Sequence, residues 1–296
     1  MSTEAAPPAA PAAPALGTPA DLAADSAVKR LEVAPGWYTA DLPTHWSFES
    51  PSGGVLMTIA MRAMAAELGD AAWKPVSATT LFCSPVPAGP LEVRVQVLRR
   101  GQSATQLRAE LSSTTLPGPG LEVSATFARD REGPHVLPAT MPQLPPPDAC
   151  AHMDERGRLG KRWPFFANFD MRLAHGPRFW EPGAQAGDSR YARWFRYLRP
   201  QQVDGKLDRL ALPPVADTMP PSMASFLGPS DPYYYPSLDL TVHFLEDTAR
   251  EWLLCAAYSR QARAGVATAE MEIWTDDGRL IAFATQMMWM RKVKRP

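Results

Sequence analysis

The side chain best suited to proton transfer in this sequence is the carboxylate of Asp239. It stands in an otherwise apolar, strand-like run formed by Leu238, Leu240, Val242 and Phe244. An apolar setting removes water from a carboxylate, and a partly desolvated carboxylate is a stronger base. General-base catalysis by such a group contributes about 10²- to 10⁴-fold to a rate. The alternative is structural, because an aspartate at a strand end also accepts hydrogen bonds from backbone amides.

Three further polar side chains could take part in such chemistry. Gln286 lies in an apolar run, where its amide must find partners or cost stability, and it could either orient a water molecule or tie strands together. Ser259 ends another strand-like run, and its hydroxyl is either a strand-end group or part of a site. His243 lies an even number of residues from Asp239, so the two would share a sheet face. It is either a ligand-side residue or a hydrogen-bonded core histidine.

The pair Gly53-Gly54 opens a long helical pattern and could bind an oxygen of a ligand. Backbone amides at a helix start are unshielded beside glycine, and the helix dipole is positive there, which favours a phosphate or a carbonyl oxygen. Alternatively, the glycines allow another backbone segment to approach the helix closely. Arg99, Arg100 and Arg263 are either phosphate-binding cations or ordinary surface arginines.

The elements that must position these residues occur in the same order twice. In the first half, an apolar helical surface from Val55 to Leu68 precedes four strand candidates. In the second half, a helical stretch from Leu207 to Phe226 precedes four more, and we expect Pro213-Pro214 and Pro220-Pro221 to kink or end it. The strand candidates after the two helices cover residues 76–83, 91–99, 105–112 and 122–129, then 237–244, 251–259, 267–274 and 280–291.

A helix as apolar as Val55–Leu68 must be covered on most sides, and a curved antiparallel sheet provides that cover. The sequence therefore predicts two α+β domains, residues 28–133 and 160–296, each a curved antiparallel sheet wrapped around a long central helix. The proline-rich residues 134–159 are expected to form a linker, and the Ala/Pro-rich residues 1–27 a flexible tail. Exposed sheet edges invite pairing, so a homo-oligomer is one expectation.

Bulk composition restricts the partners of the chain. Its 296 residues suit two domains, and 30 basic against 31 acidic side chains provide no overall field for nucleic acid or an anionic membrane. Three widely spaced cysteines without a CxxC pair argue against a disulfide framework or a zinc site. We expect a cytoplasmic protein that has no membrane span and needs neither metal nor cofactor.

Ordered motifs over most of residues 35 to 292 resemble the acyl-CoA thioesterase II family, whose members carry two hotdog domains in one chain. In the first half these motifs are Ser52-Gly53-Gly54, residues 75–82 (PVSATTLF) and residues 97–103 (VLRRGQS). In the second half they are residues 238–244 (LDLTVHF), residues 251–254 (EWLL), and the closing segment from Asp277-Gly278 to Gln286. The resemblance implies a tandem double hotdog.

The resemblance also implies an activity, the hydrolysis of acyl-CoA to a free acid and CoA. Active members place an Asp, a Ser or Thr, and a Gln around one water molecule in the C-terminal hotdog. Carried over by motif, the catalytic Asp and Gln are Asp239 and Gln286, and Ser259 is chosen for the hydroxyl. The candidate substrate-binding residues, from the reading of the residues above, are Gly53, Gly54 and His243.

Two other functions remain open from the sequence. A catalytically silent acyl-CoA-binding or scaffold protein would have the same fold, and the run from Ser259 to Arg263 departs from the small-residue-rich segment of the family. A hydratase acting on enoyl-CoA needs a closely spaced Asp and His, and the sequence contains no convincing pair.

Overall fold

The structure is a computed structural model that describes residues 19–293 apart from 33, 155, 156, 179, 180, 182 and 231. Most of the predicted tail, residues 1–18, therefore lies outside the described residues. The α-helices are α1 (Leu22–Asp25), α2 (Gly53–Leu68), α3 (Arg158–Arg162), α4 (Leu212–Ala216) and α5 (Pro221–Leu227). Short 3-10 helices cover Thr44–Trp46, Pro147–Ala149, Pro164–Asn168 and Arg209–Ala211. None of the helices in the described ranges is long and apolar enough to cross a membrane.

The strands of the first half are β1 (Lys29–Arg30), β2 (Trp37–Leu42), β3 (Lys74–Phe82), β4 (Gly89–Arg100), β5 (Ala104–Ser113) and β6 (Leu121–Ala128). The next ones are β7 (Ala151–His152), β8 (Phe169–His175), β9 (Arg190–Tyr197), β10 (Gln202–Val203), β11 (Lys206–Leu207) and β12 (Tyr233–Tyr234). The last are β13 (Asp239–Phe244), β14 (Leu253–Tyr258), β15 (Ala262–Arg263), β16 (Val266–Thr275), β17 (Leu280–Trp289) and β18 (Arg291–Lys292).

Helix α2 is buried on nearly every side, as its sequence predicts. Val55, Ile59 and Met61 have no exposed surface, and strands β4, β5 and β6 pack against the helix. The helix ends at Gly69, whose φ of 66° is left-handed and favours glycine. The predicted helix is confirmed, and its start at Gly53 lies two residues before the predicted one.

The second half contains no long central helix among its described residues, which corrects that part of the prediction. Two short helices, α4 and α5, stand in its place and are separated by residues 217–220. Pro213 and Pro214 lie in the first turn of α4, and Pro221 opens α5. Proline is tolerated there because first-turn amides have no partner within the helix. The prolines thus begin two helices, and Asp217 follows the last residue of α4.

Most of the described strands form one antiparallel sheet in the order β1-β2-β4-β5-β6-β3-β13-β17-β16-β14-β9-β8-β7, and β15 pairs with β16 beside this path. The two halves meet where β3 pairs with β13, and there Thr79 faces Thr241 with their hydroxyl oxygens 2.9 Å apart. Two sheet edges that the sequence left open are therefore paired within the chain. The same arrangement places α2 in contact with α4.

The ends of the predicted tail and linker have defined structure. Leu22 of α1 is fully buried, and the amides of Ala20 and Ala23 donate to the side chains of Asn168 and Gln201, each at 3.1 Å. Residues 134–146 contain no helix or strand, whereas β7 and the first residues of α3 fall within the segment expected to be a linker. The domain boundaries themselves stay predictions.

Candidate active site

A buried carboxylate, that of Asp217, lies at the junction of α4, α2 and the sheet. Its side chain accepts four hydrogen bonds, two at each oxygen. Oδ2 accepts from Gly54 N at 3.0 Å and from Ser52 Oγ at 3.2 Å. Oδ1 accepts from Gln286 Nε2 at 2.9 Å and from Ser237 Oγ at 3.3 Å. Hydrogen-bond donors that are far apart in sequence thus converge on one carboxylate.

The backbone of α2 reaches this carboxylate because Gly54 has no side chain. A Cβ added at Gly54 would lie 2.2 Å from Pro213 O and 2.7 Å from Pro214 Cα, so any side chain would separate α2 from α4. Of the two interpretations of the glycine pair, the close approach of another backbone segment therefore applies to Gly54. The segment that approaches it is helix α4. Its amide donates to Asp217, which leaves that amide committed within the protein.

Gln286 forms a triangle with Asp217 and Ser237. It lies on the buried face of β17, and its Nε2 donates to Asp217 Oδ1 and to Ser237 Oγ, the latter at 2.7 Å. Nε2 takes both contacts, whereas the amide oxygen Oε1 is buried and has no hydrogen-bond partner among the described residues. An unpaired buried acceptor is costly, so this atom has capacity to accept from a bound molecule.

The electrostatics of Asp217 reflect two opposing effects. Burial raises the pKa of Asp217, because charge is poorly solvated there, and the bonds from Gly54, Gln286, Ser52 and Ser237 lower it in part. The raised pKa is the net result. A carboxylate with raised basicity and fixed orientation is suited to accept a proton from water.

The structure gives Asp239 a different partner from the one expected. Its Oδ1 accepts from the backbone amide of Met287 at 2.8 Å across the β13–β17 pair, and no hydrogen bond joins it to Gln286. This is the strand-end arrangement that the sequence left as the alternative. Asp217, and not Asp239, is therefore the carboxylate that the structure places beside Gln286, and the catalytic role of Asp239 stays a prediction.

Ser259 and His243 also lie apart from the triangle of Asp217, Ser237 and Gln286. Ser259 is buried, and its Oγ is 2.6 Å from Ser222 Oγ, so it ties the end of β14 to α5. His243 is half-buried and stacks on Phe283 with ring centroids 6.3 Å apart. Neither side chain makes a hydrogen bond to Asp217 or Gln286, and the hydroxyl found beside them is that of Ser237.

Sequence reasoning singled out Gln286 and the glycine pair but not Asp217 or Ser237, and it used Ser52 only as part of a motif. A signal for Asp217 was present, since it is a charged residue inside an apolar stretch between two proline pairs. Ser237 lies two residues before Asp239, at the edge of a motif that was used for the family resemblance. Metal-binding groups of three or more His, Cys, Asp or Glu side chains are absent from the described residues.

Comparison with family models identifies both halves of the chain. Residues 42–128 match the model described as the acyl-CoA thioesterase N-terminal domain, and residues 147–290 match the acyl-CoA thioesterase C-terminal domain. No curated protein matches the chain.

Several solved structures share the fold at low sequence identity. A conserved protein with a hot dog fold from Alicyclobacillus acidocaldarius is 20% identical with a TM-score of 0.77, over 93% of this chain and 98% of that one. An acyl-CoA thioesterase II from Mycobacterium marinum is 22% identical with a TM-score of 0.72, over 93% and 99% of the two chains. A tesB protein from Mycobacterium avium subspecies paratuberculosis is 18% identical with a TM-score of 0.72, over 91% and 97%. These likenesses confirm the predicted α+β double-hotdog fold.

Proposed function

This chain belongs to the acyl-CoA thioesterase II family, and from that premise we propose that it hydrolyses acyl-CoA thioesters to a free acid and CoA. The observation that carries the proposal is the contact of one carboxylate, one amide and one hydroxyl at Asp217, Gln286 and Ser237. These are the three residue types that the family resemblance implies, and their mutual contacts support the proposal.

In the proposed reaction, Asp217 is the general base for a water molecule. The water donates one hydrogen bond to Gln286 Oε1, which is buried and bonded by none of the described residues. Its second proton points to Asp217 Oδ1, where the bond from Ser237 is the longest of the four at 3.3 Å. A hydroxyl rotates readily, so Ser237 can turn from the carboxylate to the water.

The chemical step then balances without a metal ion or a cofactor. The water oxygen forms a bond to the thioester carbonyl carbon as its proton moves to Asp217. The resulting tetrahedral intermediate collapses, the carbon–sulfur bond breaks, and the thiolate of CoA takes the proton back from Asp217. The products are a carboxylic acid and a thiol, and Asp217 is again ionised.

The oxyanion of the intermediate needs donors. The start of α2 offers the positive end of a 16-residue helix, and Gly53 is its first residue. A Cβ added there would lie 2.5 Å from ring atoms of Phe82, so the ring packs directly against this backbone. Gly54 contributes indirectly, because its amide orients Asp217. We propose Gly53 for the thioester oxygen.

The decisive experiment measures thiol release from short, medium, long and aromatic acyl-CoAs by the Asp217→Asn protein. Turnover should fall by about 100-fold or more, because the base is lost while the volume is kept. Asp239→Asn is the matched control. Asn can still accept from Met287 N, so its turnover should stay near that of the unchanged protein.

Other outcomes would assign the chain differently. If Asp239→Asn loses activity and Asp217→Asn keeps it, the proposed base is wrong. If the unchanged protein binds acyl-CoA but releases no thiol at any chain length, the chain is a silent acyl-CoA-binding protein. Circular dichroism of each variant checks that the fold is intact.

A further inference from the structure

The strand that carries Gln286 is followed by a short cationic strand. This is β18, whose two residues, Arg291 and Lys292, are both exposed. β18 pairs with β12, where Arg291 is the partner of Tyr234 and Lys292 the partner of Tyr233. Lys292 Nζ lies 6.0 Å from the ring centroid of Tyr233. Among the described residues, no carboxylate forms an ion pair with Arg291.

The strands that supply the site also supply this cationic pair. Ser237, whose hydroxyl contacts Asp217 and Gln286, comes three residues after Tyr234 of β12. On the other side, Arg291 comes five residues after Gln286. Five residues of extended strand span at most about 17 Å, so the cations lie within that distance of the proposed site.

The phenol of Tyr234 lies between the cationic strand and the site. Burial and the charge of Glu49 raise its pKa, Arg291 lowers it, and Asp217 raises it, so all three charged groups are close enough to act on this phenol. The side chain is nevertheless 47% exposed, and Trp289, two residues before Arg291, is 42% exposed. Two aromatic side chains are therefore open to solvent next to the cations.

A third cation, Arg263, lies on the same edge of the sheet. It pairs with Val266, which in turn pairs with Trp289, and neighbouring strands about 4.8 Å apart put Arg263 about 10 Å from Trp289. Arg100 is placed differently, because its charge acts on Glu67 in the last turn of α2. The 16 residues of that helix separate its two ends by about 24 Å. Of these two arginines, Arg263 is therefore the one near β18.

We propose that Arg291, Lys292 and Arg263 bind the phosphate groups of a CoA thioester whose carbonyl lies at Asp217. The inference rests on the proposed function and names the part of the protein that holds the nucleotide. Guanidinium and ammonium groups are suited to phosphate oxygens. The pantetheine arm of CoA is a linear chain of about a dozen bonds, so its length is comparable to that of five strand residues. Exposed aromatic rings beside the cations can stack on adenine.

The first experiment compares KM for an acyl-CoA with KM for the S-acyl pantetheine of the same chain length, which keeps the thioester and lacks the phosphates. Arg291→Gln, Lys292→Gln and Arg263→Gln should each raise KM for acyl-CoA by about five- to tenfold, because a charged contact made equally in substrate and transition state is lost. Their kcat values, and KM for S-acyl pantetheine, should not change. Arg291→Lys keeps the charge and should restore most of the affinity.

Arg100→Gln is the matched control, since it removes an arginine at the far end of α2 and should leave KM for both substrates unchanged. Circular dichroism checks the fold of every variant. Unchanged KM for acyl-CoA in the three variants, or an equal rise for both substrates, would overturn the inference while leaving the hydrolysis itself in place.

The second experiment measures binding without catalysis, by calorimetric titration with adenosine 3′,5′-bisphosphate. The unchanged protein should bind this nucleotide, more weakly at higher salt, and the double variant Arg291→Gln/Lys292→Gln should bind it about tenfold or more weakly. Binding of the nucleotide by a protein that hydrolyses neither thioester would refute the proposed function and support the phosphate site.

A phosphate ester can also come from a lipid headgroup, so sedimentation with phosphatidylglycerol vesicles is the last arm. We expect no binding that depends on Arg291. Vesicle binding that is lost in Arg291→Gln, together with unchanged KM for acyl-CoA, would assign these cations to a lipid surface and overturn the inference.

Discussion

Asp217 and Asp239 show how surroundings decide the role of one residue type. Asp239 is half-buried at the start of β13 and accepts one backbone amide, as many strand-end aspartates do. Asp217 is more deeply buried, accepts four donors, and is bonded by the amide of Gln286, whose oxygen has no partner among the described residues. Desolvation and a fixed orientation make it the stronger candidate for proton transfer.

Ser237 should matter for turnover through its contacts with the other two members. Its hydroxyl accepts from Gln286 Nε2 and donates to Asp217 Oδ1, so Ser237→Ala removes the group that orients both. We expect kcat to fall by about tenfold, the equivalent of one ordinary hydrogen bond. Ser237→Thr retains the hydroxyl and should keep most of the activity.

Ser259→Ala is the control for this pair of variants. Ser259 bonds Ser222 rather than the triangle, so we expect normal kcat and an unfolding free energy lowered by about 1 kcal/mol. Steady-state kinetics and urea denaturation of the three proteins separate the two effects. A Ser259→Ala protein with lost turnover and unchanged stability would favour the assignment made from sequence.

The sequence could identify Gln286 because an amide in an apolar strand is locally conspicuous. It could not identify Asp217 in the same way, because the partners of this carboxylate come from distant parts of the chain. Gly54 lies 163 positions away and Gln286 lies 69 positions away. Such convergence depends on helix packing that no local pattern specifies.

At the scale of elements, the contact between α2 and α4 positions the site, and Gly54→Ala tests it. The added methyl would meet Pro213 O at 2.2 Å, which forces the helices apart and lengthens the bond from the amide to Asp217. Overpacking of this kind costs about 1–3 kcal/mol, although the better helix propensity of alanine offsets up to about 1 kcal/mol. We expect lower stability together with a fall in kcat.

Gly133→Ala is a suitable control for that experiment. A Cβ at Gly133 would have no atom within 4 Å, so this change should leave both melting temperature and turnover nearly unchanged. If Gly54→Ala behaved like Gly133→Ala in calorimetry and kinetics, the close approach of the two helices would not be needed for the site.

Periodicity predicted the strands well because alternating burial is a local property of a half-buried sheet. For example, the predicted strand 105–112 corresponds to β5, Ala104–Ser113, whose buried and exposed residues alternate. The helices of the second half were harder. A proline pair can either end a helix or begin one, and tertiary packing decides which.

At the scale of the whole molecule, the two halves are joined by charge as well as by the β3–β13 pair. Lys74 of β3 lies 3.0 Å from Asp247, and Arg209 Nε lies 2.5 Å from the same carboxylate. Arg209 also donates to Pro75 O at 3.0 Å. A single carboxylate in the second half therefore holds cations from both halves next to the joint in the sheet.

This carboxylate should make stability depend on pH in the acidic range. Burial raises the pKa of Asp247, but hydrogen bonds from Arg209 and Lys74 outweigh it and lower this pKa to about 2. Because the folded pKa lies below the unfolded one of about 3.9, the contribution is complete above that value and is lost as pH falls towards 2. It should amount to about 1–2 kcal/mol, since the side chain is 21% exposed and solvent screens the pair.

Other carboxylates titrate in the same window, so the quantity to measure is the difference in unfolding free energy between the unchanged protein and Asp247→Asn. Urea denaturation from pH 2 to 6 should show this difference shrinking as pH falls below about 4. Asp130→Asn removes the exposed second partner of Lys74 and should show a small difference with little pH dependence. A difference for Asp247→Asn that is constant across this range would mean that its ionisation does not hold the two halves together.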